Sequence, residues 1–462
     1  MSGLFGTLSV ALTGLSVSQQ EMETTSNNVA NANTAGYTRE VAVTAAGDPV
    51  EVGALSVGTG VVLDKIESLR DPMLLIQINQ ATQQNSSLNA SLTQLQQIQT
   101  QFASSTSGIG ADISNFFNSL QQLSPNPSDL TLRQGVLTAA DTLATDFNTA
   151  AQNLQTQRTN VDQNVALEVT QVNSLTSQIA NVEQQISNLK SVNPDPGSLV
   201  DQQNSLIQQL SGLIGVQVIP TDQGVSLATA NGTMLVSGSQ SYALTTAVGS
   251  DGVQHIFSGS QDITGLLTGG SLAGLIQVRD QEIPSISGSL DQLAAGLATN
   301  LNAANAEGTD LNGNKGGNLF TPPPANGVGA AGTLTVSITD PALIAASSDG
   351  TTGSNGNLAN LIGVADQNLS HQQAQTPIDF YSNLVGEVGS ATSNTSADAD
   401  SSSLILQQLQ DQNGSVSGVS INEEAGNLIQ YQTAYQAAAR VVSTINTLLL
   451  DAVNLGTGQA EE

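Results

Sequence analysis

The chain has very few basic residues and no cysteine. Its 462 residues include 9 Lys and Arg against 38 Asp and Glu, which gives a formal net charge of −29. Nine cations cannot form the stripe that neutralises nucleic-acid phosphates or anionic lipid headgroups. The lack of cysteine excludes disulfides, thiolate zinc sites and thiol nucleophiles. We therefore expect neither nucleic acid nor membrane among its partners.

Candidate catalytic and metal-binding groups are also scarce. His255 and His371 are far apart, and we interpret each as an isolated residue. From Asp310 to Asn314, oxygen ligands occupy the first, third and fifth positions of a calcium loop, but Thr321 stands at the twelfth position, where Glu is expected. We interpret this segment as a turn. The sequence thus predicts no catalytic residue, metal ligand or cofactor, and no enzymatic activity.

The sequence also lacks any run of 18 apolar residues, so we predict no membrane-spanning helix. Residues 1–17 are mildly apolar but lack the positively charged start of a secretory signal. We expect a soluble protein that, if secreted, leaves the cell by a route that cleaves no leader.

Each end of the chain is predicted to form a helix with one apolar seam. The apolar spacing is seven near the N-terminus, and alternates between three and four near the C-terminus. Asn422 is the predicted N-cap of the C-terminal helix, Glu423 and Glu424 occupy its first turn, and Gly456 and Gly458 are its stop signals. The predicted assembly interface consists of Leu8, Leu15, Met22, Val29, Leu428, Tyr431, Tyr435, Ala438, Val442, Ile445, Leu449 and Ala452.

A single amphipathic helix cannot cover its own seam. Two arrangements satisfy this requirement. Either the terminal helices pack on the body of the same chain, or they pair with each other and with neighbouring subunits. Periodicity alone does not choose between them.

Between the ends, helical segments bracket a region rich in Val, Thr, Gly and Ser. A break or kink is predicted at Pro284. Helices are predicted within 72–190, 197–213, 271–306, 357–364 and 376–412, and strands within 40–44, 57–62, 216–245 and 333–339.

These segments predict a mainly α protein with inserted β structure. Its main body is a long antiparallel helical bundle or coiled coil built from the N- and C-terminal halves, and a small β-domain is inserted mid-chain. The predicted domains are a terminal coiled-coil core (1–45 and 415–462), an elongated helical domain with short β elements (46–215, 265–320 and 365–414), the inserted β-domain (216–264) and a loop-rich segment with a strand (321–364).

The segment behind the first helix resembles the N-terminal signature of bacterial flagellar rod and hook proteins. Its signature residues are Ser26, Asn27, Asn28, Ala30, Asn31, Asn33, Thr34, Gly36 and Tyr37. The long helices after Pro72 are unlike the hook protein, which is mainly β outside its terminal helices. The segment 269–276 with Arg279 and Asp280, the segment 310–314 and the segment 418–424 resemble the hook-associated protein 1 family of the hook–filament junction.

This resemblance implies a structural component of the bacterial flagellum that forms the junction between hook and filament and is required for filament assembly. It implies export through the flagellar type III channel to an extracellular site, without a cleaved signal peptide. The implied partners are further copies of the chain in a ring or helix, the hook protein, the second junction protein, an export chaperone and the export apparatus. Two alternatives are another axial protein, such as a hook or distal-rod relative, and a secreted hydrolase on a flagellar scaffold.

Overall fold

The computed structural model describes residues 2–52, 55–102, 108–190, 196–221, 224–369 and 375–457. Helices dominate it, and small antiparallel sheets lie between them in the sequence, which confirms the predicted fold class. The predicted turns at 193–195 and 222–223, together with His371 and Gly458, lie outside the described residues.

The helices follow the apolar periodicity of the sequence. The longest has 61 residues, contains no proline, and begins where the Asp129 carboxylate accepts hydrogen bonds from the first free amides. The helices are α1 (Ser2–Asn31), α2 (Pro72–Phe102), α3 (Ile109–Leu123), α4 (Leu130–Lys190), α5 (Gly197–Leu213), α6 (Gly270–Gln277), α7 (Ile283–Glu307), α8 (Ala330–Thr333), α9 (Leu358–Gly363), α10 (Pro377–Ser417) and α11 (Ile421–Thr457). None of the described helices carries an apolar stretch sufficient to cross a lipid bilayer.

The strands are short. They are β1 (Glu40–Ala46), β2 (Val50–Val52), β3 (Leu55–Val57), β4 (Val61–Ser68), β5 (Val216–Thr221), β6 (Gly224–Thr229), β7 (Met234–Ser237), β8 (Gln240–Ser241), β9 (Leu244–Val248), β10 (Gln254–Ser258) and β11 (Gln261–Asp262). β1 pairs with β4 and β2 with β3, both antiparallel. The strands after residue 215 lie in two sheets, ordered β5–β6–β7–β8 and β9–β10–β11.

The first of two compact units comprises Met1–Gln83, Gln171–Leu244 and Ser403–Glu462. It contains α1, α5, α11 and the first three sheets. Gly60 shows how closely β4 approaches α1. Its φ is +106°, and a Cβ atom there would lie 2.2 Å from the Thr13 hydroxyl, so the position requires glycine.

The second unit comprises Gln84–Thr170 and Thr245–Ser402. Its core is one apolar cluster, to which α3, α4, α7 and α10 contribute. At the centre, the ring of Phe116 meets those of Phe117 and Phe320 edge-on, at centroid distances of 5.3 and 6.0 Å. The buried guanidinium of Arg133 donates from Nη1 to the Ile344 carbonyl at 2.7 Å, which anchors a loop on this core.

Two local predictions differ from the structure, and a third is located more exactly. The break or kink expected at Pro284 corresponds to a π-helical turn over Val278–Glu282, directly before α7, and Pro284 lies in the first turn of α7. Within 333–339 there is a bridge between Phe320 and Val336 and no strand. The cap of α11 is Ser420 rather than Asn422, because Ser420 immediately precedes the helix and accepts the Glu424 amide at 2.9 Å on its carbonyl.

Candidate assembly interface at the paired terminal helices

The two terminal helices α1 and α11 pack against each other in opposite directions. The end of α1 lies at the start of α11, since Asn28 Nδ2 donates to Glu424 Oε2 at 3.2 Å. Two turns further along, burial, followed by the charges of Glu21 and Glu424, raises the pKa of the Tyr431 hydroxyl. The two helices therefore pair within one chain.

The predicted seam residues differ in their exposure. Ile445 is buried, and eight others are half-buried: Leu8, Leu15, Met22, Tyr431, Tyr435, Ala438, Val442 and Leu449. Val29, Leu428 and Ala452 are exposed. Because most of the seam is only half covered by the pairing of α1 with α11, its role between subunits stays a prediction.

A second set of apolar side chains points away from the pair. We call Phe5 and Leu12 of α1, with Ile429, Val441 and Leu448 of α11, the outer apolar residues. Phe5 is 56% exposed and Ile429 is 66% exposed. These side chains leave apolar surface on both helices, and such surface marks sites of protein association when it is contiguous.

Asn28 joins three segments of the first unit. Its side-chain Nδ2 donates to the Glu40 carbonyl at 2.8 Å and to Glu424. Its Oδ1 accepts the Glu40 amide and the Tyr37 hydroxyl, both at 2.9 Å. Asn28 is 1% exposed, so every polar atom of its side chain has a partner where water is excluded.

Tyr37 stays protonated in this environment. Burial, followed by the charges of Glu40, Asp201 and Glu424, raises the pKa of its hydroxyl to about 12. The protonated hydroxyl is the form that donates to Asn28.

Arg39 ties the signature segment to both C-terminal helices. Its Nη1 donates to Glu423 at 2.9 Å, and its Nε lies 2.7 Å from Glu424 in an ion pair without hydrogen-bond alignment. Its backbone amide donates to the carbonyl of Ser417, the last residue of α10, at 2.9 Å. One basic residue thus fixes the chain where α10 ends and α11 begins.

Asp201 of α5 makes the corresponding link on the other side. Its carboxylate accepts the Thr38 amide at 2.8 Å and the Thr38 hydroxyl at 2.7 Å. Arg70, just before α2, donates to the same carboxylate at 3.0 Å and to the Gly197 carbonyl at 2.7 Å. The segment 37–40 therefore binds α1, α5, α10 and α11 through polar contacts.

The remaining signature residues shape the end of α1. The side-chain amide of Asn31 donates to the Asn27 carbonyl, and the Thr34 hydroxyl donates to the Asn31 side-chain oxygen. These hydrogen bonds stabilise the last turn of α1 and the residues that follow it. Gly36 has a φ of +79°, which favours glycine. Ser26, Ala30 and Asn33 are exposed.

Family models match three parts of the chain. Residues 8–38 match the flagella basal body rod protein, residues 95–320 the flagellar hook-associated protein FlgK helical domain, and residues 412–455 the flagellar basal body rod FlgEFG protein C-terminal region. The first and last matches coincide with α1, its signature segment and α11.

Full-length relatives decide the family. The chain is 31% identical to flagellar hook-associated protein 1 of Bacillus subtilis, with 99% of each chain covered. The chain belongs to the flagellar hook-associated protein 1 family. It is 28% identical to the member from Salmonella typhimurium, covering 96% of this chain and 99% of that protein. The structure of the flagellar hook junction protein FlgK from Burkholderia pseudomallei shares the fold, with a TM-score of 0.68. The match covers 74% of this chain and 100% of that chain, at 20% sequence identity.

The sequence indicates the signature segment of this hook-associated protein 1 family member. It does not indicate the charged side chains that contact this segment. Arg39, Arg70 and Asp201 were missed as site residues, and Glu424 was seen only as a favourable charge at a helix start. A signal for the two arginines was available, because basic residues number only 9 in 462. No periodicity predicts which acid each arginine meets.

His255 and Asp310, which the sequence raised as possible catalytic or metal-binding groups, make local contacts in this family member. His255 lies between Asp262 and Asp251, with ring nitrogen to oxygen distances of 2.5 and 3.1 Å. Asp310 Oδ1 accepts the amides of Asn312 and Asn314, both at 2.8 Å, so its carboxylate closes a turn. The described residues contain no group of three or more acidic or histidine side chains arranged to hold a metal ion.

Proposed function

We propose that this chain is a structural component of the junction between the flagellar hook and filament, and that filament assembly requires it. The observation that supports this role is the antiparallel pair α1–α11, which leaves apolar side chains such as Phe5, Ile429 and Leu448 exposed. Apolar surface on both terminal helices is what a chain needs if its ends are completed by neighbouring copies.

In this mechanism, α1–α11 pairs from successive copies pack side by side around a central channel. Burial of one Leu, Ile or Phe side chain contributes roughly 1.5–3 kcal/mol. Burial of the outer apolar residues therefore favours assembly and opposes the entropy cost of ordering the ends of the helices.

The partners follow from a place in the flagellar axis. The hook protein contacts one side of the assembled copies, and the second junction protein contacts the other. We further propose that the chain is exported unfolded through the flagellar type III channel, and that an export chaperone holds α11 before export. The lack of cysteine suits this route, because no disulfide has to be broken for passage.

We assign the chain no catalytic role. The hydrolase alternative requires paired carboxylates across a cleft, and its decisive measurement is digestion of purified cell wall by the purified protein. The hook or distal-rod alternative predicts that a strain without the gene lacks hooks. The junction role predicts hooks without filaments, with filament protein shed into the medium.

The sharpest test of the mechanism places two charges on the α11 seam. Val442→Asp with Ile445→Asp puts carboxylates at one half-buried and one buried position facing α1. In a strain lacking the gene, this variant should leave hooks bare in electron micrographs. The matched control is Leu167→Asp with Leu266→Asp, two exposed positions in the second unit, which should restore filaments. Normal filaments with the seam variant would contradict the assembly mechanism.

A further inference from the structure

The basic residues of the chain are almost all used internally. The following side chains contact a carboxylate or a backbone carbonyl: Arg39, Lys65, Arg70, Arg133, Arg158, Arg279 and Lys315. The side chain of Lys190 is not among those described. Arg440 is different, because it is exposed on α11 and its guanidinium has no ion pair within the described ranges.

On α1, Glu23 is the matching exposed anion. The helix carries two acidic residues, Glu21 and Glu23. Glu21 is half-buried beside Tyr431, whereas Glu23 is exposed, accepts a hydrogen bond from Gln19 at 3.1 Å, and meets no cation among the described residues. Glu23 also lies on the exposed side of α1 that carries Phe5 and Leu12, at helical spacings.

Arg440 and Glu23 cannot meet within one copy. The antiparallel pairing that brings Asn28 to Glu424 and Glu21 to Tyr431 places Arg440 level with Leu12. Glu23 is eleven residues further along α1, which corresponds to roughly 16 Å along the helix axis. That distance is far beyond the reach of an ion pair.

We propose that Arg440 of one copy pairs with Glu23 of a second copy, and that this contact sets the stagger between neighbouring α1–α11 pairs. Glu21 is half-buried beside Tyr431 of its own copy, whereas Glu23 and Arg440 are both exposed. Of the two acids on α1, Glu23 is therefore the one that Arg440 of a neighbouring copy can reach.

Charge complementarity identifies the partner as another copy of the chain. Copies with a net charge of −29 repel each other, so an exposed cation on a terminal helix is the group that can attract a neighbour's anion. The contact joins two different surfaces, α11 of one copy and α1 of the next. Such heterologous contacts generate rings or helical assemblies rather than closed pairs. This inference rests on the proposed function, since it assumes that copies pack through their terminal helices.

Charge reversal tests the pair in cells. Arg440→Glu and Glu23→Arg each place like charges together, and each should lower the fraction of hooks that carry filaments by about tenfold. Combining both reversals should restore that fraction to within about twofold of the unmodified chain, because the pair is re-formed with opposite polarity. If either single reversal leaves filament formation unchanged, or if the double reversal does not recover it, the pairing is wrong.

Cross-linking tests the same contact by distance, since the chain has no native cysteine. A disulfide needs Cα atoms within about 7 Å, so Glu23→Cys with Arg440→Cys can cross-link only between copies. Oxidation of assembled junctions should give a ladder of covalent multimers. The control, Ala30→Cys with Arg440→Cys, moves the thiol two turns along the exposed side of α1 and should give none.

The outcomes separate this pair from the proposed function. The pairing is wrong if junctions assemble but Glu23→Cys with Arg440→Cys gives no covalent multimers. It is also wrong if Ala30→Cys with Arg440→Cys gives as many multimers. Either result leaves the assembly role intact. Failure of the unmodified chain to restore filaments in the strain lacking the gene overturns the proposed function and, with it, the pairing.

Discussion

The side-chain amide of Asn28 bonds to the carboxylate of Glu424, 396 positions later in the chain, at 3.2 Å. The contact lies where α1 ends and α11 begins, and both side chains are buried. It makes the signature segment the point at which the two ends of the sequence are held together. The same amide group also orders the start of β1, through the backbone of Glu40.

Asn28→Ala should therefore loosen the base of the α1–α11 pair. The substitution removes the four hydrogen bonds of the Asn28 side chain. Each buried polar group that is left unsatisfied costs about 1–3 kcal/mol. We expect local stability to fall by at least about 2 kcal/mol. Amide hydrogen exchange at Glu40 and Glu424, measured on the full chain, reports the change.

Two variants make that result specific. Asn33→Ala removes an exposed side-chain amide from the same segment. It should change the local stability reported by hydrogen exchange by less than about 0.5 kcal/mol. Asn28→Asp keeps the acceptor for Tyr37 but brings a second carboxylate to Glu424, so it should be at least as damaging as Asn28→Ala. If the amides of Glu40 and Glu424 are equally protected from exchange in Asn28→Ala and Asn33→Ala, Asn28 does not hold the two helices together.

The sequence predicted the terminal helices well and their contacts poorly. Heptad spacing shows that Leu8, Leu15 and Ile445 lie on apolar faces, because periodicity records which side of a helix avoids water. It does not record what covers that side. The pairing of α1 with α11 depends on contacts between residues hundreds of positions apart, such as Asn28 with Glu424, which leave no local pattern.

The β elements show a second limit. Alternation predicted a strand over 333–339, but a strand also requires a partner of matching length. The neighbouring segment supplies only the bridge between Phe320 and Val336. In the same way, turn signals located the strands of 216–257 without indicating that they divide into two sheets.

Gly274 and Gly288 should respond in opposite ways to the same substitution. A Cβ atom at Gly274 of α6 would lie 2.2 Å from the backbone oxygen of Ser87, so Gly274→Ala forces α2 and α6 apart. We expect it to lower the free energy of unfolding of the second unit by about 1–3 kcal/mol. Gly288 of α7 has nothing within 4 Å of that position.

Gly288→Ala is thus the matched control for overpacking. It removes the backbone freedom of a helical glycine without a clash, and should raise stability by about 0.5–1 kcal/mol. Urea denaturation followed by circular dichroism compares the two variants. Stabilisation of similar size in both would show that helix propensity, and not the close approach of α2 and α6, decides the result.

His255 should titrate above the ordinary range of a histidine. The hydrogen bond to Asp262, followed by that to Asp251, raises the pKa of its imidazole. Because the folded-state pKa is raised, the stabilisation is fully present below about pH 6.5 and is lost as the pH rises through the raised value. The cluster is partly exposed, so its contribution to stability is below about 1 kcal/mol.

NMR titration of the imidazole signals measures this shift directly. Asp262→Asn should lower the His255 midpoint more than Asp251→Asn does, since Asp262 makes the larger contribution to the pKa. A larger effect from Asp251→Asn would reverse the assigned order of the two carboxylates.

Asp112 should make the second unit less stable as the pH rises. Burial, followed by the hydrogen bond and charge of Asp146, raises the pKa of the Asp112 carboxyl from 3.8 to about 6. Tyr381 of α10 lies near both acids and has its own pKa raised, first by burial and then by their charges. The folded state holds the Asp112 proton more tightly than the unfolded state, so stability falls between about pH 4 and pH 6 and stays lower above that range.

Asp112→Asn removes the ionisation while keeping the shape of the side chain. At pH 7.5 it should raise the free energy of unfolding by about 1–3 kcal/mol, and at pH 4 its effect should be small, because the carboxyl is then protonated in the folded chain. The control is Asp141→Asn, at an exposed position of α4. Urea denaturation of the full chain at both pH values gives the comparison. If Asp112→Asn is destabilising at pH 7.5, the carboxylate is held by partners that favour its charge, and the assigned direction of its pKa is wrong.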